Sequence, residues 1–79
     1  MYSVYVLQSE VTGRRYVGSC RDVQDRLRRH NAGWSRSTKH GAPWRLVHTE
    51  AFATRGEAMA RERYYKSGRG REELDAILG

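Results

Sequence analysis

The stretch YSVYVLQSEVTGRRYVGSC, residues 2–20, folds back on itself before any helical pattern begins. Residues 2–9 are rich in β-branched and aromatic types, EVTGRR interrupts them, and RYVGSC resumes the pattern. Gly13 supplies the positive φ that a turn can require without a Cβ penalty. The segment therefore predicts a β-hairpin with a loop longer than two residues.

The period then changes. In RDVQDRLRRHNAG, Asp22 is placed to cap a helix and Gly33 to end it. With 100° per residue, Val23 and His30 fall about 40° and 60° from Leu27, and Arg26 about 100° on the same side. WSRSTKHGAP reads as a polar, basic loop ending at the single proline, Pro43. WRLVHTEAF alternates imperfectly and predicts a third strand. Thr54 and Glu57 form a capping-box pattern opening a helix that closes at Gly68. REELDAIL predicts a short last helix. The order is β-β-α-β-α-α, an α+β fold with a three-stranded sheet flanked by three helices. No repeat or linker divides it, so residues 1–79 are read as one domain. At this length a chain buries only about 60% of the surface its unfolded form exposes, enough for one compact core.

Charge narrows the partners. Fifteen Lys and Arg against nine Asp and Glu give a formal charge of +6, which favours a polyanion, nucleic acid being the commonest. The lone Cys20 cannot form an intrachain disulfide, and the N-terminus lacks the order of a secretory signal. A reducing, cytoplasmic setting is the expectation. No apolar run approaches the roughly 20 residues of a membrane span, so no membrane partner is expected.

Several residues sit where packing alone would not put them. On the fourth element Glu62 falls about 40° from Ala58 and Tyr65 about 20° on the other side, so the carboxylate lies within the apolar stripe. It needs either an arginine partner or a divalent cation there. Arg26 and His30, one turn apart, form either a solvated helix edge or an anion clamp, for which a guanidinium is well shaped. Tyr5 and Tyr16 lie in adjacent strands, and Gly18 shares a face with Tyr16. They are either core tyrosines or the floor of a site, and a strand glycine often marks a close approach. Trp34 and Trp44 could stack on bases, although Trp44 opens a strand and suits a core. SGRGREE reads as a helix stop followed by a helix start rather than an anion nest. His30, His40, His48 and Cys20 have no zinc spacing.

SVY at 3–5, YVG at 16–18, DRLRRHN at 25–31 and EAMARERYYKSGRGREEL at 57–74 together resemble, in order, the blocks of the GIY-YIG nuclease family, in particular its small single-domain bacterial members. Ser3 stands where the family's first motif has glycine, and Val4 and Val17 where it has isoleucine. The family's asparagine beyond the metal glutamate has no counterpart, since Asn31 is the only asparagine. The resemblance implies metal-dependent hydrolysis of phosphodiester bonds in DNA, using one Mg²⁺ or Mn²⁺ ion. It implies Tyr16 as general base or water-positioning group, with Tyr5 helping to hold water and phosphate. Arg26 would stabilise the phosphorane-like transition state, His30 would assist, and Glu62 would bind the metal.

With no second DNA-binding domain, low sequence specificity or action on structured or single-stranded DNA is expected. Arg21, Arg28, Arg29, Arg36, Lys39 and Lys66 are the expected backbone contacts. The alternatives are a nucleic-acid-binding module of the same fold with little or no turnover, and an interaction domain for a protein partner.

Overall fold

A computed structural model describes residues 1–79. Strand β1 (Tyr2–Ser9) pairs antiparallel with β2 (Arg15–Cys20) on one side and β3 (Trp44–Phe52) on the other, giving the sheet order β2-β1-β3. Helix α1 (Val23–Asn31) follows β2, and α2 (Arg55–Lys66) and α3 (Gly68–Leu78) follow β3. The α+β class and the element order are those expected from the sequence.

The central strand separates two apolar clusters by its period of two. Val4 and Val6 join Val17, Ala58, Tyr65 and Leu74 under α2 and α3. Tyr5 and Leu7 join Trp44 on the other face, where Val23 and Leu27 of α1 cover them. Trp44 is thus a core residue, 7% exposed. A bulge explains the imperfect alternation of β3. Val6 pairs with His48 but Leu7 with Leu46, so Val47 has no partner in the ladder. The extra residue changes the phase of the strand. Leu46 packs with Tyr5 and Leu7, whereas Val47 and Phe52 pack under the helices.

The caps are largely those read from the sequence. Asp22 Oδ1 accepts from the Asp25 N–H at 3.1 Å, and the Thr54–Glu57 capping box is complete. Two boundaries differ. Helix α3 begins at Gly68, three residues before REELDAIL, because Ser67 ends α2 and also caps α3 through Gly70 N–H. Both glycines of SGRG are inside that helix, and Gly70 allows its backbone to rest against Tyr64, where a Cβ would overlap the carbonyl oxygen. The loop before β3 also contains a 3₁₀ turn at Lys39–Gly41. No helix is long and apolar enough to cross a membrane.

Candidate active site

Because β2 is an edge strand, side chains from α1 on one face and α2 on the other can meet around it. Tyr16 and Tyr5 lie on the α1 face. Tyr5 is directly opposite Gly18, and Tyr16 opposite Leu7. The ring centroids of Tyr16 and His30 are 4.8 Å apart, and those of Tyr5 and Tyr16 are 6.3 Å apart. Tyr5 is 1% exposed, and its hydroxyl donates to His30 Nε2 at 3.1 Å. His30 Nδ1–H donates to Thr38 Oγ1 at 2.7 Å, and the Thr38 hydroxyl turns to the Ser35 carbonyl. This directional chain assigns the His30 tautomer. Burial, aided by the Arg26 charge, lowers the His30 pKa below its ordinary value and favours the neutral ring. Burial, followed by the neighbouring Tyr16, pushes the Tyr5 phenol upward, so it stays protonated.

Arg26 is exposed on α1 and borders two clefts. One, of about 330 Å³, is lined with Ser19, Cys20, Arg21 and Arg55, and the other, of about 210 Å³, with Tyr16, His30 and Trp34. Its guanidinium takes part in none of the seven salt bridges. A cation with no carboxylate partner beside a polar cleft is free to meet an anion.

Glu62 reaches the same strand from α2. Its Oε1 accepts from Ser19 Oγ at 2.6 Å and its Oε2 from Lys66 Nζ at 2.8 Å. The partner is a lysine one turn away, not an arginine. Burial raises the carboxyl pKa, but the bonds from Lys66 and Ser19 outweigh it and hold the group below its ordinary value. Lys66 Nζ also lies 6.0 Å from the Tyr16 ring centroid. The hydrogen bonds Tyr5–His30, His30–Thr38, Ser19–Glu62 and Lys66–Glu62 leave the Tyr16 hydroxyl out.

No group of three or more His, Cys, Asp or Glu side chains is gathered to hold a metal. A single ionised carboxylate suits only a hard cation that keeps most of its water, such as Mg²⁺ or Mn²⁺. Glu62 fits that requirement. Its side chain is 24% exposed, and Lys66, half-exposed, can move aside.

Of the six expected backbone contacts, Arg21, Arg29 and Lys66 line clefts that include β2 residues, and Arg28 lines one beside Trp34 on α1. Arg36 and Lys39 line none of those four. Arg28 and Arg29 share Asp25 in i,i+3 and i,i+4 pairs. Arg55 joins Arg21 and Arg26 around one cleft and was missed, since a first-turn arginine looks like ordinary solvated surface. Thr38 gave no local signal either, because only the fold brings it to His30. Lys66 four residues after Glu62 was a readable i,i+4 pair. Asn31 is elsewhere. Its amide clamps the backbone of Trp44, accepting from N–H at 2.5 Å and donating to C=O at 3.2 Å.

An antiparallel three-stranded sheet, with its paired tripeptides in the first two strands and its arginine and glutamate helices on opposite faces, defines an α+β domain of the GIY-YIG type. Residues 1–74 match the GIY-YIG catalytic domain family, and the chain belongs to that family. It is a family of nucleases, so the substrate class is nucleic acid. A UPF0213 protein of Halobacterium salinarum is 43% identical over 63 residues, covering 78% of this chain and 80% of the relative. A UPF0213 protein of Staphylococcus saprophyticus is 32% identical over 75 residues, covering 94% and 90%. The solution NMR structure of a UPF0213 protein from Bacillus halodurans superposes with a TM-score of 0.59 at 36% identity, over 100% of this chain and 87% of that one.

Proposed function

We propose that this chain is a divalent-metal-dependent DNA nuclease that hydrolyses phosphodiester bonds with little sequence preference, on single-stranded or structured DNA. The observation that carries the reading is that Tyr16, His30 and Arg26 line one cleft, with Arg26 lacking any carboxylate partner, while Glu62 reaches the same strand through Ser19. A guanidinium offers a planar fork of donors to phosphoryl oxygens and can neutralise the charge that grows on them. Tyr16 lines two clefts and takes or orients the proton of the attacking water. His30, neutral and held by Tyr5 and Thr38, stands against the Tyr16 ring and assists. Tyr5, buried, is a positioning residue acting through His30. Glu62 would hold Mg²⁺ or Mn²⁺, which when bound withdraws charge from the phosphate and acidifies a coordinated water.

One observation favours a second reading, a DNA-binding module with little turnover. Both Glu62 oxygens already have protein partners and Lys66 already offsets the carboxylate charge, so a cation must compete with Lys66 for it. Incubation of the purified chain with single-stranded, duplex and branched DNA, with and without Mn²⁺, separates the two. Metal-stimulated cleavage supports the nuclease. Binding to all three without cleavage supports the module.

A further inference from the structure

Trp34 is 75% exposed, and the proposed chemistry makes no use of it. Its exposure does not come from a loose backbone. Gly33, at φ +81°, is the left-handed residue ending α1; its N–H donates to the His30 carbonyl at 3.2 Å, and Trp34 N–H donates to the Arg29 carbonyl at 3.1 Å. These are the two bonds of a Schellman motif. In that motif the residue at the Trp34 position commonly buries itself on the helix end. Here the Arg29 guanidinium carbon lies 5.6 Å from the ring centroid, and the ring keeps most of its surface in water.

The ring lines two clefts. One contains Tyr16, Arg26 and His30, and the other Asp25, Arg28 and Arg29. A flat apolar surface therefore stands on a pinned backbone next to the reacting side chains, with cations beside it. The ligand complementary to both features is a planar π-face attached to a phosphate. Stacking on a tryptophan is open to every base, which agrees with a site that does not read sequence. In a closed duplex both faces of each internal base are already covered by its neighbours.

We propose that Trp34 is the stacking platform for an unpaired nucleobase adjacent to the phosphate held at Arg26, and so selects single-stranded or frayed DNA over closed duplex. This rests on the nuclease reading for the identity of the polymer, but its test does not require cleavage.

The full chain is titrated in EDTA with a single-stranded oligothymidine and with a duplex of equal length, following tryptophan fluorescence and affinity at several salt concentrations. Single strands should quench the exposed Trp34, while Trp44, 7% exposed, contributes little change. Trp34→Ala should weaken single-strand binding by roughly 5- to 150-fold, the range for losing one stacked base. The slope against salt and the duplex affinity should change little, and Trp34→Tyr should restore most of the loss. Equal effects on single strand and duplex, no effect on either, or absence of quenching overturns the proposal. If the protein binds and quenches but cleaves nothing, the nuclease reading falls and the platform stands. If it cleaves while Trp34→Ala binds like wild type, the platform alone falls.

Discussion

Tyr5 lies directly across Gly18 in the β1–β2 ladder, and a Cβ on Gly18 would come 2.5 Å from the Tyr5 hydroxyl oxygen and 2.6 Å from the ring carbon bearing it. The glycine of YVG is thus the gap that lets the Tyr5 ring lie over β2 and reach His30. Gly18→Ala should cost about 1–3 kcal/mol by overpacking, since Tyr5 is 1% exposed and has little room to retreat. Moving Tyr5 also loosens His30, whose pKa should rise toward the ordinary 6.5. Urea unfolding and NMR titration of the imidazole check both effects. A variant of wild-type stability with an unchanged His30 titration would contradict this role for Gly18.

The two tyrosines should separate in opposite directions. Tyr5→Phe leaves the buried His30 Nε2 without its donor and should cost about 1–3 kcal/mol of stability. Tyr16→Phe removes a hydroxyl that no side chain holds, so stability should change by less than about 0.5 kcal/mol. Its cleavage rate should nevertheless fall by about 10²- to 10⁴-fold, with Tyr5→Phe the milder of the two in rate. Thermal unfolding and single-turnover cleavage of both variants give the comparison. Cleavage by Tyr16→Phe within a few-fold of wild type removes Tyr16 from proton handling.

The hairpin, the caps of α1, the N-cap of α2 and the element order were legible because each depends on neighbouring residues: Gly13, Asp22, Gly33, and Thr54 with Glu57. The stop expected at Gly68 was not, since Gly68 opens α3. Most of what escaped depends on distance in sequence. The bulge at Val47 is set by pairing with β1, whereas the start of α3 was missed although it is local, because Ser67 both ends α2 and caps α3. The sequence placed Tyr16, Arg26, His30 and Glu62 on particular faces of their elements. It could not place Glu62 and Tyr16 on either side of one edge strand, nor pair His30 with Thr38.

Stability should fall at both ends of the pH range. The folded-state pKa of His30 lies below 6.5, so the unfolded chain binds more protons. Its contribution is present above that pH and is lost as pH falls through the depressed value. Glu50, held down by Tyr65, His48 and Arg61 against the opposing effect of burial, and Glu62 add a second loss below 4.5. Tyr65, pushed up to about 12 by burial and the adjoining Glu50, and Tyr5, also raised, contribute stability that is present below pH 10 and lost as pH rises through their folded values. Burial also raises the Cys20 thiol from 9.0, so the melting temperature should form a plateau from about 6.5 to 9, and His30→Gln should flatten the decline between 6.5 and 4.5. A decline in that window equal to wild type would contradict the His30 assignment.

DNA affinity should follow counterion release. With Arg21, Arg26 and Arg55 around one cleft and Arg28 and Arg29 tied to Asp25, three to five neutralised phosphates predict a slope of log K against log salt of roughly −2 to −5. Arg55→Ala should make that slope shallower by nearly one, and Arg36→Ala should not. Affinity measured from low to physiological salt decides it, and a flat response would remove the electrostatic account.

Glu62→Gln tests the metal-dependent nuclease most directly. The amide keeps the shape and can still meet Ser19, but it loses the charge a cation needs. The ion pair with half-exposed Lys66 is worth at most about 1 kcal/mol, so folding should survive. The measurement is single-turnover cleavage of single-stranded DNA across a Mn²⁺ titration, with melting temperature and DNA affinity recorded for both proteins. Wild type should show metal-stimulated cleavage, and Glu62→Gln should bind DNA with near-wild-type affinity, melt close to wild type and show no metal stimulation. An equal response to Mn²⁺ in the two proteins, or no cleavage by wild type of any strand at any metal concentration, would contradict the account.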